Sequence, residues 1–300
     1  MTIREFFNQY PDDDTCLEHL MVTRYGKQLD CPKCGKPSKF HRIKKRKAYE
    51  CQFCGYQLFP CVGTPFEKSR TPLQLWFYAM FLFCATRNGV SAKELQRQLG
   101  VTYKTAWRMG HEIRKYMAYV DGDAPIGGKK IVEVDKTYIG GKDKMGKDDK
   151  TIVLGMVERD GDVITRIVDD KRGTTVVPHI LENVYQGTSI ASDEGYSFIH
   201  LDEEGYNHGT IQHGKGQYVN GLIHTNTIEG FWAWLKRGIS GTHVWVSKKH
   251  LQKYLCEFEY RYNMRHVPEL MLDLLLSSFP KPCLSKGGQS SLPLKAHARK

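Results

Sequence analysis

Two Cys-x-x-Cys-Gly knuckles, Cys31–Gly35 and Cys51–Gly55, stand sixteen residues apart. Four thiolates at this spacing close one tetrahedral site, so Cys31, Cys34, Cys51 and Cys54 are expected to hold a single structural zinc ion. The glycine after each pair lets the chain turn so that backbone amides face the sulfurs. A redox role needs one pair, not two. Four of the nine cysteines fall in these pairs, a pattern that favours metal over disulfides in a reducing compartment. Cys61 lies too far from the second knuckle to be needed as a ligand. Between the knuckles, six of the nine residues from Lys39 to Lys47 are basic. A charge run is usually a solvated face. Held by a rigid metal site, Lys44, Lys45, Arg46 and Lys47 are better placed to meet nucleic-acid phosphates.

The formal charge of +11 points to a polyanionic partner without separating nucleic acid from a membrane surface. No run of eighteen apolar residues occurs, and the N-terminus, Met-Thr-Ile-Arg-Glu-Phe-Phe, lacks a signal-peptide core. The expectation is a soluble, cytoplasmic protein with no membrane partner.

Residues 3–25 read as an amphipathic segment broken at Pro11–Asp14, where an aspartate offers a helix cap. Residues 72–87 read as an apolar core helix capped near Thr71. Ser91 caps a short helix to Leu99, Gly100 turns the chain, and Thr102 opens a longer helix. This pattern suits a DNA-binding helix-turn-helix with Tyr103, Lys104 and Arg108 toward the groove; an ordinary helical hairpin is the plainer alternative. The Gly/Asp/Pro-rich stretch 121–130 reads as a linker.

Beyond it the pattern changes to strands: Lys130–Tyr138, Thr151–Val157 and Asp162–Val168, with a charged hairpin tip through Lys150. A helix over Thr174–Val184, a short strand Thr188–Asp193 and a later helix follow. This is the element order of the ribonuclease-H-like fold, a mixed sheet flanked by helices. In that fold the first and fourth strands are neighbours, which would bring Asp135 and Asp193 together. Glu229 would join them from the later helix. Three converging carboxylates repel one another unless divalent cations neutralise them. Mg²⁺ or Mn²⁺, two ions in all, suits oxygen ligands and phosphodiester chemistry.

The stretch 217–239 reads as an extended segment, a polar turn, and a helix from about Asn226. Ile228, Phe231, Trp232 and Leu235 form its buried stripe, and Gly238 closes it. Lys236 and Arg237 sit in the last turn, where they suit the helix dipole and can meet phosphates. Asn226-x-x-Glu229 also fits a capping box, in which the glutamate serves only the helix end.

Three stretches then carry a resemblance: Val132–Lys142, Ser192-Asp193-Glu194, and His224–Trp232. With the zinc ribbon and helix-turn-helix ahead of them, they resemble the DDE transposases of the IS1595 (ISXO2-like) insertion-sequence family over about residues 5–265. The resemblance implies a DNA transposase that cleaves and transfers strands at element ends. It implies metal-ligand roles for Asp135, Asp193 and Glu229, and a DNA contact near the cut for Lys236. It implies double-stranded DNA as partner, a homo-oligomer on that DNA, and no small-molecule substrate. The family pattern continues through Val246–His250 and Glu259–Asn263. One position departs from it: an acid usually follows the first aspartate, and here stands Lys136. Strand alternation turns Lys136 to the face opposite Asp135. A catalytically inactive or domesticated zinc-dependent DNA-binding regulator is the competing expectation. The expected organisation is α+β and multidomain: 1–65 helix and ribbon, 66–120 helix-turn-helix region, 121–130 linker, 131–268 catalytic domain, 269–300 basic tail.

Overall fold

Pro11 and the aspartates after it split the N-terminal segment into α1 (Ile3–Gln9) and α2 (Asp13–Tyr25), with Asp12 accepting the Thr15 amide as cap. The computed structural model describes residues 1–122, 124–141, 150–193, 195–211 and 223–279. The charged tip at 142–149, Glu194, the extended segment at 217–222 and the tail from 280 lie outside the described residues. The chain divides into two compact units, the first built mainly from Met1–Thr86, Val90–Val120 and the residues from Val267, the second from Asp121–His266.

In the first unit, β1 (Leu29–Asp30) pairs with β2 (Pro37–Ser38), and β3 (Phe40–Ile43), β4 (Ala48–Cys51) and β5 (Gln57–Leu58) form an antiparallel sheet. Residues 44–47 are the turn between β3 and β4. Arg42 braces this turn by donating to the carbonyls of Ile43 and Arg46, and its guanidinium is tied to Asp14 at 2.9 Å. Helix α3 (Leu73–Ala85) is apolar almost throughout and buries Trp76, Phe77, Ala79, Met80 and Phe83 completely. Thr71 does not cap it. Pro72 occupies the cap position, and Asp13 from α2 accepts the Gln74 amide at 2.9 Å instead. Helix α4 (Ala92–Leu99) is capped by Ser91 as expected, and left-handed Gly100 leads to α5 (Tyr103–Asp121).

The expected basic tail starts later than residue 269. Met271–Ser278 is a helix that buries Leu272, Leu275 and Leu276, and Phe279 stacks on Phe66 and Tyr116 with ring centroids 5.2 and 3.9 Å away. The physical reason is composition: this segment is apolar up to Phe279, and its basic residues all follow Pro280.

The second unit is a five-stranded sheet. Its strands are β6 (Val132–Ile139), β7 (Thr151–Glu158), β8 (Val163–Val168), β9 (Ser189–Asp193) and β10 (Asn207–Ile211), in the order β10-β9-β6-β7-β8. Strands β6, β7 and β8 are antiparallel, whereas β9 runs parallel to both β6 and β10. Helix α6 (Gly173–Asn183) covers one face, where Val134, Leu154, Met156, Val176 and Ile180 share a core. Helices α7 (Asn226–Gly238) and α8 (Lys248–Asn263) cover the other, where Val153, Val157, Trp232, Leu235 and Leu255 pack together. The 121–130 stretch is docked rather than free, since Ile126 is buried and bridges Val184.

Candidate active site

Strand β6 sorts its residues by the two-residue period. Val132 and Val134 enter the core on the α6 side, so Glu133 and Asp135 project together toward α7. Glu133 is fully buried and serves the start of α7: its carboxylate accepts the Thr227 amide at 2.8 Å, the Ile228 amide at 3.0 Å and the Thr227 hydroxyl at 2.9 Å. Arg159 donates to the same carboxylate at 2.7 Å. An anion bound to the first amides of a helix is favoured both by their unmet hydrogen bonds and by the dipole. The capping box expected at Asn226 is not formed; α7 begins at Asn226 with Thr225 at the cap, without a side-chain cap bond, and Glu133 serves the helix end from the sheet. Glu229 is thus released from that duty, and its Oε1 accepts from the Thr225 hydroxyl at 2.9 Å.

Asp135 pairs across the sheet with Gly155. A side chain at 155 would meet the Trp232 ring at 2.5 Å, so the bare glycine makes room for the indole. From there Trp232 Nε1 donates to Asp135 Oδ2 at 2.9 Å. Strand β9 lies on the other side of β6, with Ser192 opposite Val134, and ends at Asp193, whose Oδ1 accepts the Gly195 amide at 3.2 Å.

The three acids act on one another. Burial, followed by the charges of Asp193 and Glu229, raises the Asp135 carboxyl from 3.8 to about 6, against the lowering hydrogen bonds from the Lys136 backbone and Trp232. Each carboxylate is oriented by its own donor, namely the indole, the Gly195 amide or the Thr225 hydroxyl. An all-oxygen set of this kind fits a hard divalent cation such as Mg²⁺.

Lys136 does turn to the other face, as alternation requires, and its ammonium rests on the Phe198 ring at 4.0 Å while donating to Ser197 Oγ at 2.6 Å. Its ammonium nevertheless lies in the neighbourhood of Asp193. A Cβ added at Gly195 would meet both Asp193 Oδ1 and Lys136 Nζ at 3.0 Å. Burial lowers the Lys136 pKa, and the charges of Asp193 and Asp135 oppose that shift.

In the first unit the four knuckle cysteines come together, all four sulfurs lying within 4.8 Å of one another. Cys31 and Cys54 are 3.6 Å apart, and Cys34 and Cys51 are 3.9 Å apart. Sulfurs at about 2.3 Å from a tetrahedral zinc are roughly 3.8 Å from each other, so the cluster fits the ion. Gly35 and Gly55 both take left-handed φ (67° and 66°), and their amides return to the carbonyls of Cys31 and Cys51. Among the described residues this is the one group of ligand atoms drawn to that spacing; the carboxylates are more widely set.

The residues expected to meet DNA are distributed over both units. Lys44, Lys45 and Arg46 are exposed on the β3–β4 turn, while Lys47 is partly covered and donates to the Ser69 carbonyl at 3.4 Å. Tyr103 and Lys104 are exposed on the first turn of α5, with Lys93 over the Tyr103 ring. Arg108 is exposed too, but its guanidinium lies over Trp76. Lys236 and Arg237 are exposed in the last turn of α7.

Comparison with known proteins bears on this arrangement directly. The ISXO2-like transposase domain matches residues 123–263, which run from before β6 through α8 and include all three acids. The transposase zinc-ribbon domain matches residues 11–57, including all four knuckle cysteines. The chain carries an ISXO2-like transposase domain and an IS1595-type transposase zinc ribbon. One curated relative, an uncharacterized protein in transposable element ISH50 of Halobacterium salinarum, is 26% identical over 267 residues, covering 81% of this chain and 88% of the relative. Another, an uncharacterized transposase-like protein of Haemophilus influenzae, is 29% identical over 101 residues, covering 34% of this chain and 80% of the relative. No helix among the described residues is long and apolar enough to cross a membrane.

Around this transposase domain, sequence reasoning missed Glu133, Gly155 and Trp232 as parts of the site. Glu133 was visible only as one acid in an alternating strand. Its removal is expected to be costly. Glu133→Ala removes the carboxylate from the partly buried Arg159 guanidinium and from two helix amides, so it should destabilise the second unit by up to about 3 kcal/mol. Glu133→Gln, whose oxygen still accepts from the Thr227 and Ile228 amides, should cost less. Urea unfolding followed through the second unit measures the difference, and equal midpoints for all three proteins would refute the capping role.

Proposed function

We propose that this chain binds the ends of an insertion sequence in double-stranded DNA and catalyses metal-dependent strand cleavage and strand transfer. The observation that carries the reading is the grouping of Asp135, Asp193 and Glu229 from two adjacent strands and one helix, close enough for the last two charges to raise the first carboxyl. The sheet order, with parallel β9 beside β6, supports a ribonuclease-H-like catalytic domain. In this reading the three carboxylates hold Mg²⁺ or Mn²⁺, which supplies Lewis-acid activation of the attacking oxygen and charge stabilisation of the leaving one. Trp232, Gly195 and Thr225 fix the carboxylate orientations, and Glu133 fixes the helix from which Glu229 projects. Lys236 and Arg237 meet phosphates next to the cut.

The zinc-stiffened β3–β4 turn and the first turn of α5, the latter as the second helix of a helix-turn-helix, read the element end. Joining two ends implies more than one copy of the chain on DNA, in the bacterial cytoplasm. A second reading, a protein that binds the same DNA without cutting it, has one observation in its favour: the Lys136 ammonium in the field of the acids. One assay separates the two. Purified protein is incubated with a plasmid carrying the gene and its natural flanks, with Mg²⁺ or Mn²⁺. Strand breaks mapping to the element boundaries are expected; binding to that DNA with no break in either metal overturns the enzyme reading.

A further inference from the structure

The loop joining α7 to α8 is irregular at every step. It starts as a π-helical turn, Ile239–His243, a form that recurs at functional sites. Val244 then takes φ 64° and ψ −53°, and the Trp245 amide donates to the His243 carbonyl at 2.7 Å. This is a γ-turn with positive central φ, a strained form, and a β-branched residue is among the least suited to it. Such strain persists only where the surroundings impose it, and it concentrates at sites of function. Here the anchors are His243, whose ring packs edge-on against Tyr254, and Val246, which is buried in the core under α7 and α8. Held between them, Val244 is 80% exposed and Trp245 58% exposed. A large indole and a valine kept in water at the tip of a strained turn are not there for the core.

Charge indicates what covers them. From Gly230 to Cys256 there is no Asp or Glu, but five Lys or Arg. Lys236 and Arg237 are exposed at one foot of the loop, Lys248 and Lys249 at the other. Among the described residues, Asp169 is 3.3 Å from Lys248, and buried Glu257 lies beside the His243 ring at the base of the loop. An apolar tip between two cationic feet suits a polyanion that also offers a flat π-face: nucleic acid with a base out of its stack. Base stacking on aromatic side chains supplies affinity that tolerates any base, and apolar wedges hold opened base steps.

We propose that Val244 and Trp245 form a base-capturing tip, the indole stacking on an unpaired base while Lys236, Arg237, Lys248 and Lys249 hold the flanking phosphates. The proposal rests on the transposase reading and deepens it by assigning this loop a substrate feature: a locally opened duplex rather than a fully paired one. Its test uses the full-length zinc-loaded protein, without added magnesium so that nothing is cut. Affinity is compared for two duplexes of one sequence, one fully paired and one with a single-base bulge.

The parent is expected to prefer the bulged duplex by about tenfold, in line with the worth of one stacked base. Trp245→Ala should lose the preference while keeping its affinity for paired DNA, and Trp245→Phe should retain part of it. Lys248→Ala with Lys249→Ala should weaken both duplexes alike and flatten the salt dependence. Equal binding of the two duplexes by the parent, or an unchanged preference in Trp245→Ala, overturns this proposal alone. So does a change confined to self-association, read by light scattering, which would make the tip a contact between copies. A parent that binds neither duplex overturns the transposase reading with it.

Discussion

Asp135→Asn, Asp193→Asn and Glu229→Gln are each expected to slow magnesium-dependent cleavage of element-end DNA by more than about a hundredfold. Even the outer partners of a metal ligand are worth roughly 10–100-fold in affinity or activity, and these three are the ligands themselves in the proposed site. Each amide keeps the size of the acid and can still accept its orienting hydrogen bond, from Trp232 in the case of Asp135. What is lost is one negative charge. Single-turnover cleavage at saturating Mg²⁺ measures the effect, and a Glu229→Gln rate equal to that of the parent would end the metal-site reading.

A second arm needs no catalysis. The folded Asp135 carboxyl sits near 6, above its ordinary 3.8, because burial and two neighbouring charges disfavour the anion. Its contribution to stability is therefore complete below about pH 4 and is lost as pH rises through about 6. Without added magnesium, Asp135→Asn should melt above the parent at pH 7.5, and the two should converge near pH 4. The reverse order at pH 7.5 would mean that the cluster does not repel.

Loss of zinc has the other large effect. A structural zinc contributes about 10–16 kcal/mol in small domains at neutral pH, more than a ribbon of two short sheets can replace. Cys31→Ser or Cys51→Ser should therefore abolish the ordered ribbon, with zinc content falling from one ion per chain to none. Proteolysis should then open the segment between α2 and α3, while the urea transition of the second unit stays where it was. Preference for element-end DNA should vanish along with the braced β3–β4 turn, leaving weak salt-sensitive binding. A parent protein that contains no zinc and whose four thiols alkylate freely would remove the metal centre from this description.

The features legible in the sequence were those whose meaning is local. Cys31, Cys34, Cys51 and Cys54 declare a site through spacing alone, and the glycines after them declare the turns. The strands β6 to β8 and α6 were legible because period and propensity agree there. What escaped depends on partners far along the chain. Glu133 caps a helix whose amides lie 94 and 95 residues away, so no window of sequence joins them. The start of α7 at Asn226 was legible, but the group that serves its first amides was not, for the same reason. Strand β10, Asn-His-Gly-Thr-Ile, is polar and lacks the composition of a strand; it forms because β9 offers it a parallel edge. Lys136 was assigned by the direction of its Cβ, whereas its charge sits four bonds further on.

The contact between Gly155, Trp232 and Asp135 ties three distant positions into one heritable unit. Any side chain gained at 155 pushes the indole off the strand, and with it the donor that aims the carboxylate. A smaller ring at 232 leaves a hole over the glycine and an unaimed acid. Neither position can drift by itself without disturbing the carboxylate that both of them adjoin. Descendants of such a gene thus face a ratchet: they keep all three residues together, or lose the arrangement in a single step that later substitutions rarely reverse.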